Sequence, residues 1–332
     1  MNLPYSPERP LLLGGRGSKM ALAQANIAAN AIIAAYPQLA APGAIKYTVI
    51  TTSGDRTQQK GDIPLAAFGS KELWTKEVEI ALAEGRIDVG VHCVKDVHSF
   101  LPEGFTLSTV LKRDDPRDAW LCFNGFTLAD LPAGSVVGTS SLRRQGIILS
   151  KRPDLVVQPL RGNADTRIEK LRAGQVRATL LSRSGLDRIH MADVVREDIS
   201  VDDMLPACGQ GALCFEVESS RPELVEFLTP VNHQESWQAI IAERAMLQTI
   251  DGNCHTPVGS YAMIEGDQIY LRGLVVRPDG TGMVQAERRG LATDAVRIGT
   301  DLGQELRKRG PQDIFDALEN TPPHNPARAE RG

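Results

Sequence analysis

Two stretches combine a strand end, a glycine turn and arginines in the way an anion site requires. In Gly138-Thr139-Ser140-Ser141-Leu142-Arg143-Arg144, a glycine turn precedes hydroxyl residues suited to cap a helix. Two arginines then stand in the first helical turn, against the helix dipole. An anion held jointly by free N–H groups, hydroxyls and guanidiniums would remove that conflict. Arg161-Gly162-Asn163-Ala164-Asp165-Thr166-Arg167 repeats the arrangement. From Arg143 to Arg188 the chain carries nine Arg and two Lys against four acidic residues, a net +7 in 46 residues. A solvated helix face explains any one of these arginines. The cluster is better read as a site for a ligand with several carboxylates or phosphates, which suit the planar guanidinium fork.

Three further stretches carry reactive groups. Val91-His92-Cys93-Val94-Lys95-Asp96-Val97 sets Lys95 and Asp96 just past an apolar strand, where α/β sheets often place ligand-binding groups. A surface ion pair is the plainer reading of Lys-Asp, and His92 reads equally as packed or functional. Gly14-Gly15-Arg16-Gly17-Ser18-Lys19 fits neither the phosphate-loop spacing nor the dinucleotide fingerprint. It leaves Arg16 and Ser18 at a helix start. Ile250-Asp251-Gly252-Asn253-Cys254-His255-Thr256-Pro257 puts a cysteine in a Gly-containing turn before a strand. Cys254 is readable as a nucleophile or attachment point, or as an ordinary free thiol.

The elements that must position these groups alternate. Leu11–Leu13 reads as a strand, and an Ala-rich helix from Met20 to Tyr36 stops at Pro37 with Ser18 near its cap. Strands follow at Tyr47–Thr51 and Ile87–Val91, separated by a polar mobile loop, Ser53–Ser70, and a helix, Glu72–Glu84. A second α/β set has strands at Ser135–Gly138, Leu155–Leu160 and Ala178–Leu181. Its helices open at Ser140-Ser141 and at Ala164. Leu213–Val217 is a strand that could return to the first domain, and the two halves are only loosely alike in pattern. The last third has a helix at Ser236–Ile250, strands at Val258–Ile264, Gln268–Val276 and Gly282–Arg289, and a helix at Thr293–Arg309. Asp279-Gly280 signals a hairpin. Asn320–Gly332 is Pro-containing, polar and expected to be disordered.

The chain has 332 residues, 42% hydrophobic and 23% charged, which is enough to bury cores in two or three domains. A net charge of −4 argues against a globally basic nucleic-acid binder. No apolar run reaches a membrane span of about 18 residues, and Met1–Pro10 lacks a secretory apolar core. Five cysteines without a CxxC motif argue against a disulfide framework or a zinc site. The expectation is a cytoplasmic, monomeric protein without metal, nucleic-acid or membrane partners.

In this order, the motifs from about Leu11 to about Lys308 resemble the porphobilinogen deaminase (hydroxymethylbilane synthase) family. The resemblance rests also on Asp115-Pro116-Arg117-Asp118-Ala119, Leu160-Arg161-Gly162-Asn163, Leu205-Pro206-Ala207, Gly209-Gln210-Gly211-Ala212 and Cys254 with Pro257. It implies two periplasmic-binding-protein-like α/β domains and a C-terminal α+β domain with a three-stranded antiparallel sheet. Residues 1–114 with 212–231 form domain 1, 115–211 domain 2, 232–320 domain 3, and 321–332 a disordered tail. It also implies a transferase of haem biosynthesis. Four porphobilinogen molecules join head to tail with release of ammonia, and the chain is hydrolysed to linear hydroxymethylbilane.

The implied cofactor is a dipyrromethane held by a thioether, with Cys254 as the attachment point. Asp96 is the implied catalytic carboxylate. Arg16, Ser18, Lys95, Ser140, Ser141, Arg143, Arg144, Arg161, Arg167 and Arg188 are the implied carboxylate binders. Lys71 and Trp74 belong to the implied lid, which family members usually write Lys-x-Gly-Gly-Lys-Gly-Leu-Phe. Here it is Ala67-Phe68-Gly69-Ser70-Lys71-Glu72-Leu73-Trp74. Asn253 replaces a usual glycine, and Ala164 is smaller than the usual aliphatic. Two competing readings are a non-catalytic module for an anionic ligand and a degenerate paralogue that loads cofactor without elongating it.

Overall fold

The computed structural model describes residues 4–53, 75–252 and 256–319. The chain begins with β1 (Leu11–Gly15), α1 (Lys19–Ala35), β2 (Ile45–Val49), α2 (Lys76–Ala83), β3 (Val89–Cys93) and β4 (Phe105–Val110). Next come β5 (Asp118–Leu121), β6 (Val136–Gly138), α3 (Leu142–Lys151), β7 (Val156–Gln158), α4 (Ala164–Arg172), β8 (Ala178–Ser182), α5 (Arg183–Arg188) and β9 (Glu197–Asp198). The remainder is β10 (Leu213–Glu218), α6 (Pro222–Leu228), α7 (Gln234–Thr249), β11 (Val258–Glu265), β12 (Gln268–Val275), β13 (Val284–Leu291), α8 (Ala295–Arg309) and α9 (Gln312–Glu319). No described helix is long and apolar enough to cross a membrane.

The described residues form two compact units, one from those up to 114 with 212–237, the other from 115–211 with those after 237. The first unit holds a sheet of order β2-β1-β3-β10-β4, the second a sheet of order β7-β6-β8-β5-β9. In the first, β1 runs parallel to β2 and β3, and β10 runs antiparallel to β3 and β4. In the second, β6 runs parallel to β7 and β8, and β5 runs antiparallel to β8 and β9. The two halves, loosely alike in sequence pattern, thus share one topology. Each takes its antiparallel strand from the far side of a chain crossing, so Leu213–Glu218 does return to the first sheet.

Local sequence accounts for the frame of the first unit. Ser18 caps α1, its Oγ accepting the Ala21 N–H at 3.2 Å. Ala25, Ala28 and Ile32, at helical spacing, are buried. The helix ends before Pro37, and the Tyr36 ring stacks on Phe227 at 4.5 Å.

In the second unit, Trp120, Val137, Ile148, Leu180 and Met204 share a core with Leu274 and Val276. The three-stranded antiparallel sheet β11-β12-β13 is therefore joined to the second α/β sheet through packed side chains. Its other face packs α7 and α8 through Ala242, Met246, Leu271, Leu302 and Phe315.

Candidate active site

Parallel strands bring their carboxyl ends to one sheet edge, and both units use that edge. In the first, the ends of β1 and β3 deliver Arg16 and Ser18, and Lys95 and Asp96 in a 3₁₀ turn, Val94–Asp96. Arg16, Ser18 and Lys95 are half-buried and Asp96 is exposed. Among the described residues the Asp96 carboxylate makes no hydrogen bond or ion pair. Tyr47 donates its O–H to the Arg16 carbonyl at 2.9 Å, and burial pushes that phenol up to about 12 against the pull of Arg16. His92 is packed, its Nε2 3.0 Å from Glu216 Oε2 on the neighbouring strand β10.

In the second unit the ends of β6, β7 and β8 deliver Ser140 and Ser141, Arg161 and Gly162, and α5 with Arg188. A Cβ on Gly138 would sit 2.8 Å from Leu160, so only glycine allows β6 and the segment after β7 this close. Gly162 turns the chain into α4 at φ +117°, which favours glycine. Ser141 caps α3, its Oγ accepting the Arg144 N–H at 3.4 Å, and Ser140 Oγ donates to the Leu160 carbonyl at 3.2 Å. Arg161 is buried. Arg167 donates to the Gly162 carbonyl at 2.8 Å, and Arg188 to the Gly211 carbonyl at 2.7 Å.

Arg143 and Arg144 find an anion within the chain. Arg143 Nη2 donates to Asp118 Oδ2 at 2.8 Å and Arg144 Nη2 to Asp118 Oδ1 at 2.7 Å. Their Nη1 atoms donate to the carbonyls of Leu205 (2.7 Å) and Leu180 (3.0 Å). Gln210 Nε2 donates to Asp118 Oδ1 at 2.8 Å and to the Pro116 carbonyl at 2.7 Å. Burial alone would push Asp118 up. The two guanidiniums and the hydrogen bonds from Arg144 and Gln210 outweigh it and hold the carboxyl well below its usual range. Burial pulls Arg143 down, against the attraction of Asp118.

Two positive charges here share one carboxylate. The Nε–H of each arginine is buried without a hydrogen-bond partner among the described residues. Orphaned buried donors of this kind mark a place for a missing partner. The pair therefore retains a net positive charge and two free donors that fit a carboxylate-bearing group.

Other arginines in the basic stretch are accounted for locally. Arg152 pairs with Asp154, Arg172 with Glu169 and Arg183 with Asp187. Asp118 and Gln210 escaped the sequence reading as site residues, although both lie in the quoted motifs. The available signal was an acid at the head of a short apolar run, Asp118-Ala119-Trp120-Leu121.

Cys254 and Asn253, and the lid residues Ala67, Ser70, Lys71, Glu72 and Trp74, lie outside the described residues. The flanks of Cys254 are anchored. Gly252 N–H donates to the Leu247 carbonyl at 2.9 Å, and Val276 N–H to the Pro257 carbonyl at 3.1 Å. The other four cysteines form no disulfide among the described residues, and three of them are buried.

Known families match the chain over most of its length. Residues 11–226 match the family model for the porphobilinogen deaminase dipyromethane cofactor binding domain, and residues 237–308 match the porphobilinogen deaminase C-terminal domain. The chloroplastic porphobilinogen deaminase of Oryza sativa subsp. japonica is 44% identical over 310 residues, 92% of this chain and 86% of that protein. The porphobilinogen deaminase of Nitrobacter hamburgensis is 43% identical over 303 residues, 91% of this chain and 94% of that protein. Among solved structures, the BvgS VFT2 domain of Bordetella pertussis aligns at TM-score 0.40 and 10% identity, over 67% of this chain and 85% of that one.

Proposed function

Since the chain belongs to the porphobilinogen deaminase family, we propose that it joins four porphobilinogen molecules head to tail, releases ammonia at each step and hydrolyses the product to linear hydroxymethylbilane. This makes it a transferase of tetrapyrrole biosynthesis. Matches to both family domains disfavour a bare anion-binding module.

The charge imbalance at Asp118 is the observation that carries the reading at the level of geometry. Each porphobilinogen brings an acetate and a propionate. A buried pair of guanidiniums with one internal acid and two unused donors has the charge and the hydrogen-bonding capacity to pair with such a group. Arg143 and Arg144, with Ser140, Ser141, Arg161, Arg167 and Arg188, would hold carboxylates of cofactor and substrate, as would Arg16, Ser18 and Lys95. The dipyrromethane, when bound, supplies the pyrrole to which the first substrate couples. Cys254 would hold it through a thioether.

Asp96 is the proposed catalytic carboxylate. Loss of ammonia needs a protonated amine and leaves a cationic pyrrole carbon. An exposed carboxylate without a partner among the described residues can keep the proton on the leaving amine and then face the cation. It can also take the proton released when the new carbon–carbon bond forms. Arginines that grip the carboxylates spare each coupling the entropy of a free encounter.

The division into domains 1–114 with 212–231, 115–211 and 232–320 belongs to the same proposal and is supported by the three separate sheets. So does a monomer in the cytosol, a location in keeping with four described cysteines that form no disulfide. The test is an intact-mass measurement on the purified full chain with an assay for ammonia released from porphobilinogen. A mass increased by one dipyrromethane, together with ammonia release, is expected. A bare-chain mass and no ammonia would overturn the proposal.

A further inference from the structure

We infer that Asp118, steadied by Gln210, is a positioning residue that fixes Arg143 and Arg144 so that their two Nε–H groups receive one carboxylate of the bound pyrrole chain. The inference rests on the porphobilinogen deaminase reading and assigns a role to two residues outside the expected binding set.

Successive residues of a helix point about 100° apart, so Arg143 and Arg144 would diverge if left alone. One carboxylate gathers both, each oxygen taking one Nη2. Both Nη1 atoms are tied to main-chain carbonyls, of Leu205 and Leu180. With two of its nitrogens held, each planar guanidinium has a fixed orientation, and so has its remaining Nε–H. Donors held in this way lose little orientational freedom when an anion pairs with them.

Gln210 completes the frame. Its amide spans Asp118 Oδ1 and the Pro116 carbonyl, at 2.8 and 2.7 Å. The loop that carries it is stapled along its length. Arg143 holds the Leu205 carbonyl, Glu243 takes the Gly209 N–H at 2.7 Å, and Arg188 holds the Gly211 carbonyl. Asp118 and Gln210 are almost fully buried. Asp118 therefore acts on the ligand through the arginines.

Two cations beside one anion leave a buried excess of one positive charge, which is costly unless a further anion pairs with it. The two orphaned N–H groups add their own desolvation cost. One incoming carboxylate relieves both.

The test uses Asp118→Asn and Gln210→Ala in the full chain. Three readouts are taken: the fraction carrying the dipyrromethane by intact mass, KM and kcat with porphobilinogen, and the urea midpoint. In Asp118→Asn the loaded fraction should fall about tenfold, or KM should rise about tenfold with kcat nearly kept. Gln210→Ala should move the same readouts by about threefold. Wild-type loading and KM in both variants would overturn the inference, as would a loss confined to kcat. Where Asp118→Asn does not fold, Gln210→Ala decides by the same readouts. A wild-type protein with no adduct and no ammonia release would instead strike the proposed function.

Discussion

Replacing Glu243 tests how the second unit closes the edge of its antiparallel sheet. Glu243 lies on α7, fully buried. Its Oε2 accepts the Gly209 N–H at 2.7 Å and the Ser260 hydroxyl at 3.4 Å, and its Oε1 accepts the Ala262 N–H at 2.8 Å. Among the described residues, strand β11 pairs only with β12, so its other side is an edge. Glu243 and the Pro206 carbonyl, which accepts the Ser260 N–H at 2.9 Å, cover that edge. Glu243→Ala strands two buried main-chain N–H groups, each costing about 1–3 kcal/mol. The expected loss is about 4 kcal/mol, a large part of the roughly 5–15 kcal/mol of a typical fold. With a urea slope of about 2 kcal/mol/M, the midpoint should drop by about 2 M. Glu243→Gln keeps one acceptor oxygen and should lose about half as much. A Glu243→Ala midpoint within about 0.5 M of wild type, or a Gln variant weaker than the Ala variant, would refute the reasoning.

Three more outcomes are expected. Cys254→Ser should abolish the stable dipyrromethane adduct in the intact mass, and a full-mass adduct in that variant would remove the attachment assignment. Asp96→Asn should cut ammonia release by about 10²-fold or more while leaving the urea midpoint unchanged, because the exposed carboxylate makes no bond among the described residues. Asp118 titrates below its usual range in the fold, so its stabilisation is fully present above the unfolded pKa of about 3.9 and is lost as the pH falls through the folded value. The stability gap between wild type and Asp118→Asn should hold from pH 7 to about 5 and shrink below about 4; urea midpoints across that range measure it.

Local signals made much of the fold legible. Ser18 and Pro37 bracket α1, Ser141 caps α3, and three strand-like runs joined by Gly/Asp turns become β11, β12 and β13. The sequence reading passed over β4, β5, β9, α5, α6 and α9. Thr106, Ser108 and Thr109 interrupt the apolar pattern of β4, and β5 spans four residues headed by an acid. The helices passed over have eight residues or fewer, too short for a 3.6-residue period to stand out. The common strand order of the two halves is a matter of long-range pairing, which neither composition nor period encodes.

The arginines show where sequence reasoning must stop and why. Arg152, Arg172 and Arg183 are neutralised by acids two to four residues away, so their ion pairs can be guessed from spacing. Such exposed pairs contribute little stability and leave no charge for a ligand. Arg143 and Arg144 meet their acid 25 and 26 residues back along the chain, on a strand antiparallel to β8. Only the folded sheet brings the three together. What separates a ligand arginine from a structural one is then stoichiometry within a buried cluster. One acid for one guanidinium closes the account. One acid for two leaves a charge and an unused edge on each cation, which in a low-dielectric interior amounts to a demand for a second anion. A chain that binds a lengthening polyanion gains from such shared acids: they orient the cations firmly and neutralise only half of them.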